Sequence, residues 1–117
     1  MLLQRIANPG LFLGDLFEDA LRRNPYQRIW LDHELDVAAG LGRELTVYDC
    51  ALLIADLARG LADAGVGPGD LVALYKQDAF DVFLLGCAIS RAGGVPVMLS
   101  PALSGSVVSA LLERAGW

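Results

Sequence analysis

The sequence has 117 residues, of which 55% are apolar before its 13 glycines are counted and only 20% are charged. The length suits one small domain, but soluble domains reach about 45–50% apolar with glycine included, so this chain is expected to lack part of the surface that would cover it. A net charge of −5, with one lysine and eight arginines, excludes the basic stripe needed to displace counterions from a nucleic-acid backbone.

In the opening segment Asn8-Pro9-Gly10 and Asp15 interrupt the apolar residues, so no signal peptide is expected. Leu11 to Arg23 has Leu13, Leu16, Phe17, Ala20 and Leu21 at helical spacing, acids early and arginines late, which suits a helix and its dipole. A leading helix over 11–24 is predicted, closed by Asn24-Pro25. Arg28 to Leu35 reads as an edge strand with Ile29, Leu31 and His33 on one face and Trp30, Asp32 and Glu34 on the other. After a loop over Asp36 to Arg43, Glu44-Leu45-Thr46 pairs back, giving a hairpin over 28–46.

Thr46 with Asp49 three residues on is a capping box for a helix running to about Ala64. Asp49, Asp56, Arg59 and Asp63 share a stripe on it, and Leu53, Leu57 and Leu61 form the opposite seam. The GVGPGD run at Gly65–Asp70 follows a helix and precedes a strand. A phosphate-cradling loop needs the reverse order, so this is a helix stop and a tight turn.

Leu71 to Tyr75 and Val95 to Leu99 are short apolar runs flanking a helical pattern from Asp78 to Arg91. Strand, helix and strand in that order form a right-handed βαβ unit with parallel strands. From Val82 to Ile89 the connecting helix carries no charged side chain. Eight residues are too few to span a bilayer, which takes about 20. A helix apolar all round must be covered by protein on every side, so a partner surface is expected on Val82 to Ile89. Ser104 or Ser106 caps a last helix to about Ala115, with Gly116 as its C-cap. Trp117 stands where another strand would begin, so the chain is expected to stop with its sheet barely started.

Few residues offer chemistry. Strand alternation sends His33, the sole histidine, away from Asp32 and Glu34, so no metal site is expected there. No G-x-S-x-G elbow occurs, and Cys50 and Cys87, in neither a C-x-x-C nor a framework spacing, read as inert buried thiols in a reducing cytoplasm. Asp78 and Asp81 suit the positive end of their helix. Lys76 lies just past the carboxyl end of the first parallel strand and Ser100 past the second, the edge where open α/β sheets bind ligands. They are the two candidate binding residues; no catalytic residue is assigned.

Leu45-Thr46-Val47-Tyr48-Asp49 resembles the LTYxEL of the AMP-forming adenylate-forming enzymes. Gly60 to Asp70 resembles their GLxxxGVGPGD, and Arg91 to Pro101 their KAGAVPVPLNP, in the same order and separation. The resemblance spans about Leu11 to Trp117. It implies an α/β fold with Rossmann-like parallel βαβ layers, flanking helices and a short N-terminal hairpin. Residues 47–117 would be the start of the α/β subdomain, and 1–117 the incomplete N-terminal portion of a larger AMP-binding domain. By resemblance the parent enzyme activates a carboxylic acid with ATP and Mg2+ to an acyl-adenylate and passes it to a thiol such as CoA. The version Leu99-Ser100-Pro101-Ala102-Leu103 is closer to acyl-CoA synthetases than to peptide-synthetase domains. Gln77-Asp78-Ala79 departs from the family's Pro-Asn-Ser. The family's phosphate loop, nucleotide contacts and catalytic lysine would all follow this segment. Two other readings stay open: a non-catalytic α/β module docking on a separately made chain, and a small Rossmann-like binder using the edge near Lys76 and Ser100.

Overall fold

The computed structural model describes residues 13–116. The first two residues of the predicted leading helix, the opening segment read against a signal peptide, and Trp117 lie outside the described residues.

A 3-10 turn at Leu13–Asp15 leads into α1 (Leu16–Arg23). The helix thus starts later than its apolar spacing suggests, because buried Gly14 sits in the tighter turn packed against a later helix. The predicted face is the one used: Phe17 is buried and Leu13, Leu16, Ala20 and Leu21 pack beside it.

β1 (Arg28–Trp30) pairs antiparallel with β2 (Glu44–Thr46), Arg28 opposite Thr46 and Trp30 opposite Glu44. The expected strand to Leu35 stops early. The Leu31 N–H still donates to the Arg43 carbonyl at 2.8 Å, but Leu35 is buried in the core and pulls the chain off the strand line. Residues Asp36–Leu41 then form 3-10 turns broken at Ala38.

Thr46 caps α2 (Val47–Asp63) with both halves of the capping box formed. Its buried stripe is Val47, Cys50, Ala51, Ile54 and Ala58, one step round from the expected Leu53, Leu57 and Leu61, which are half-buried at its side. Small residues on the buried stripe let the neighbouring helix approach closely. At the far end Gly65 takes φ +107°, the Val66 N–H donates to Leu61 and the Gly65 N–H to Ala62, the glycine stop read from the sequence. The Gly67 N–H then donates to Asp70 at 2.8 Å, closing the turn.

β3 (Leu71–Tyr75) and β4 (Val95–Leu99) are parallel, in register from Leu71 opposite Val95 to Tyr75 opposite Leu99. α3 (Ala79–Arg91) connects them, and α4 (Gly105–Arg114) follows with Ser104 as its N-cap.

One expectation is corrected here. None of Val82 to Ile89 is exposed, and Leu84, Gly86, Cys87, Ala88 and Ile89 are buried. α2, the Leu13–Asp15 turn, β3 and β4 all pack on α3, so the apolar helix finds its cover within the chain. The bare apolar surface lies elsewhere. Side chains alternate along a strand, and Met98 faces Gly86 of α3. Leu71, Ala73, Tyr75, Val95, Val97 and Leu99 therefore form the opposite sheet face. None of the six is buried, and Leu71, Tyr75 and Val95 are 55%, 44% and 46% exposed. A radius of gyration of 15.4 Å, against about 13 Å for a compact domain of this length, fits a scaffold with one side open.

Candidate functional site

One cluster of charged side chains gathers where β3 ends and α3 begins. Asp78 adopts an extended backbone at the N-cap, and its Oδ1 accepts the Phe80 N–H at 3.0 Å and the Asp81 N–H at 3.1 Å. Its other oxygen meets His33 Nε2. His33 Nδ1 lies 2.6 Å from Asp32. The turn after β1 thus returns His33 to both acids, where alternation along a continuous strand would have separated it from Asp32. Asp78, with its hydrogen bond and charge, pushes the imidazole above its ordinary value. For Asp78 burial pushes upward, but the Asp81 N–H, His33 and the Phe80 N–H together hold it below the usual carboxylate range.

Beside this pair, Lys76 Nζ sits 2.5 Å from Asp36 Oδ2 and 3.4 Å from Asp81 Oδ2. The hydrogen bond that Lys76 donates to the Asp36 carboxylate holds the ammonium above its ordinary range despite desolvation. Asp81 is fully buried, its Oδ2 also accepts the Asp36 N–H at 3.1 Å, and its Oδ1 has no partner among the described residues. A buried carboxylate needs such a counter-charge, since desolvation otherwise outweighs what it gains. Lys76 is therefore committed to neutralising Asp36 and Asp81.

Ser100 Oγ accepts the Ala102 N–H at 3.2 Å, fixing the turn after β4. Lys76 and Ser100 share a groove of about 440 Å³ whose other walls include Gln77, Val82, Met98 and Pro101. A second cleft of about 350 Å³ separates Asp32, His33 and Leu35 from Gln77, Asp78 and Phe80. The two residues named from the sequence thus border one groove at the carboxyl edge of the sheet. Sequence reasoning missed that Asp36 and Asp81 are the partners of Lys76: Asp81 lies five residues on, but Asp36 lies 40 residues away and no local pattern marks it. Among the described residues no group of three or more His, Cys, Asp or Glu is arranged to hold a metal ion, and no helix is long and apolar enough to cross a membrane. The arrangement can tie the segment from His33 to Asp36 to the head of α3 and balance charge. Lys76 is the only lysine and directly follows the apolar Leu71–Tyr75 strand, so these residues contain no Gly/Ser/Thr-rich loop ending in lysine.

A family model described as AMP-binding enzyme matches residues 17–117. The chain belongs to the AMP-binding enzyme family. It is 44% identical over 114 residues to 3-amino-2-hydroxy-4-methoxybenzoate diazotase of Streptomyces cremeus, covering 97% of this chain and 21% of that protein. Malformin synthetase mlfA of Aspergillus kawachii is 33% identical over 105 residues, which are 90% of this chain and 2% of that one. Among solved structures, the inhibitor-bound N-terminal domain of FACL13 from Mycobacterium tuberculosis superposes with a TM-score of 0.72 at 21% identity, over 89% of this chain and 25% of that one. The N-terminal subdomain of Klebsiella oxytoca NpsA in complex with anthranilyl-AMSN gives 0.71 at 21% identity, over 88% and 24%. At that identity the structures show the fold: the α/β segment found in N-terminal domains of adenylate-forming enzymes. The chain spans about a fifth of the diazotase's length.

Proposed function

We propose that these residues are the opening scaffold of an adenylate-forming ligase. The observation that carries this reading is the family match over residues 17–117, on a segment whose charged groups at the head of α3 are paired with one another. In the proposed reaction a substrate carboxylate attacks the α-phosphorus of ATP, pyrophosphate leaves, and a thiol such as CoA then displaces AMP from the acyl carbon. ATP, Mg2+ and CoA would be held mainly by residues beyond this segment, with the groove at Lys76 and Ser100 contributing at most an edge. The remainder of the domain would cover the sheet face of Leu71, Tyr75 and Val95. Two buried free thiols suit a cytoplasmic setting.

A second reading is favoured by the 44% identity to the diazotase: a parent enzyme that acts on the amino group of an amino-hydroxybenzoate. ATP–pyrophosphate exchange with fatty acids, benzoates and aminobenzoates decides between them. The polypeptide continuing beyond Trp117 should exchange with at least one acid, and the 117 residues alone should not. Exchange by the 117 residues alone would overturn the scaffold reading. A diazo chromophore formed from an aminobenzoate with ATP and added nitrite as the source of the second nitrogen, without acid-dependent exchange, would favour the second. If this segment instead copurifies with a separately made chain and adds nothing to that chain's activity, it is a docking module.

A further inference from the structure

The three residues Asp32, His33 and Glu34 bridge two fixed points. On one side the Leu31 N–H is bonded to the Arg43 carbonyl at 2.8 Å. On the other, Leu35 is buried and the Asp36 N–H and carboxylate are clasped by Asp81 and Lys76. Between them the turn is exposed and, among the described residues, has one polar tie to the rest of the fold, the contact of His33 Nε2 with Asp78. The cleft of about 350 Å³ beneath it is walled by this turn and by Gln77, Asp78 and Phe80 at the head of α3. The geometry points to Asp32–Glu34 as a pH-sensitive flap over that cleft, latched by His33 on Asp78 and hinged at Leu31 and Leu35.

The charges around the latch set its direction. His33 faces Asp32 on its own turn and Asp78 at the head of α3; Glu34 and Asp36 are the other charged groups of the flap and its hinge, and the opposing element adds the Lys76 ammonium and Asp81, with Lys76 paired to both Asp36 and Asp81. The ion pair needs a protonated imidazole and an ionised Asp78. Because the closed state raises the histidine above its ordinary 6.5, the latch is fully formed below that value and is lost as pH rises through the raised one. Because Asp78 is lowered from 3.8, its side of the latch survives until pH falls through the lowered value. The flap is closed between these limits and opens above the upper one. Asp78 continues to cap α3 after release, since its Oδ1 serves Phe80 and Asp81 while the other oxygen serves His33. Opening therefore leaves the helix intact.

The test is NMR on the full chain, following the His33 ring carbon and the backbone order parameters of Asp32, His33 and Glu34 against pH. His33 should titrate above 6.5, and the three order parameters should fall with the same midpoint, from about 0.85 toward about 0.6. Asp78→Asn keeps the cap but removes the charge and should move the midpoint down. His33→Gln should abolish the pH response. Order parameters that stay level across the His33 midpoint, or an unchanged response in His33→Gln, would overturn the flap. So would a parallel loss of order at Ile54 and Leu84, because that is unfolding of the core.

Discussion

Gly86 on α3 and Met98 on β4 meet so closely that a Cβ on the glycine would lie 2.8 Å from Met98 Cε. Helix and sheet are spaced by the absence of a methyl group. The atom in the way is the far end of a flexible, half-exposed side chain, so Met98 can swing outward. Alanine also gains about 1 kcal/mol over glycine in a helix interior. Gly86→Ala should therefore change stability by less than about 1 kcal/mol. In a Met98→Ala background it should show the full helix gain. A denaturant double-mutant cycle measures that coupling; zero coupling would mean the two residues do not touch.

Asp81 and Asp36 make the second junction. Asp81→Asn keeps an oxygen for the Asp36 N–H and nearly the same volume, whereas Asp81→Ala leaves that N–H and the Lys76 ammonium short of a partner. The alanine variant should lose about 1–3 kcal/mol, the cost of an unsatisfied buried group, and the asparagine variant less. Urea melts of both variants check the order. Equal losses would show that only the charge matters.

The capping box gives a third prediction. Thr46 Oγ1 accepts the Asp49 N–H at 3.1 Å and Asp49 Oδ2 accepts the Thr46 N–H at 2.9 Å. Thr46→Ala should cost about 1 kcal/mol, as read by thermal melts at fixed pH. The double variant with Asp49→Ala should cost less than the sum of the singles, because either change opens the same reciprocal pair.

Asp78 reads in the sequence only as an acid suited to the start of its helix, and its capping bonds to Phe80 and Asp81 come with the structure. Thr46 was legible as a cap, and Ser104 as one of two candidates, because a cap joins neighbouring groups and is written in adjacent residues. The parallel βαβ unit was legible for a similar reason: two short apolar runs around a helix admit few topologies. What the sequence did not show depends on separation along the chain. His33 meets Asp78 and Lys76 meets Asp36 across 45 and 40 residues, and no local pattern marks such a pairing. The end of β1 was missed because Leu35 takes its place in the core from a distance. The uncovered side was sought on α3, where polarity is lowest. Polarity, however, reports only that cover is needed; α2 and the Leu13–Asp15 turn supply it.

Cys50 and Cys87 are buried, and burial pushes both thiols up to about 11 from 9.0. At pH 8 that lowers the thiolate fraction from about 10% to about 0.1%, and the thiolate is the reactive form. The folded chain should therefore react with a disulfide reagent at least about 100-fold more slowly than the same chain in denaturant, before any steric protection is added. Stopped-flow labelling with and without urea measures the ratio. A fast native phase would place one thiol at the surface.

The open sheet face yields the last prediction, because two sites compete to explain any stickiness of the isolated chain. Were α3 the bare element, polar substitution at Val82 would lower binding of a hydrophobic dye. The structure instead leaves Leu71 and Val95 about half exposed on the far side of the sheet, paired across the two strands. Large exposed apolar patches of this kind mark interaction surfaces. Leu71→Ser with Val95→Thr should therefore reduce dye fluorescence of the 117 residues while shifting their melting little, since the replaced atoms already meet water. The same pair in a polypeptide continuing beyond Trp117 should destabilise by about 1.5–3 kcal/mol for each side chain newly buried there. Val82→Ser should do the reverse, destabilising the isolated chain without lowering dye binding, because that side chain is half-buried against its own fold. If Val82→Ser quenches the dye and the sheet pair does not, the cover this segment lacks belongs on the helix after all.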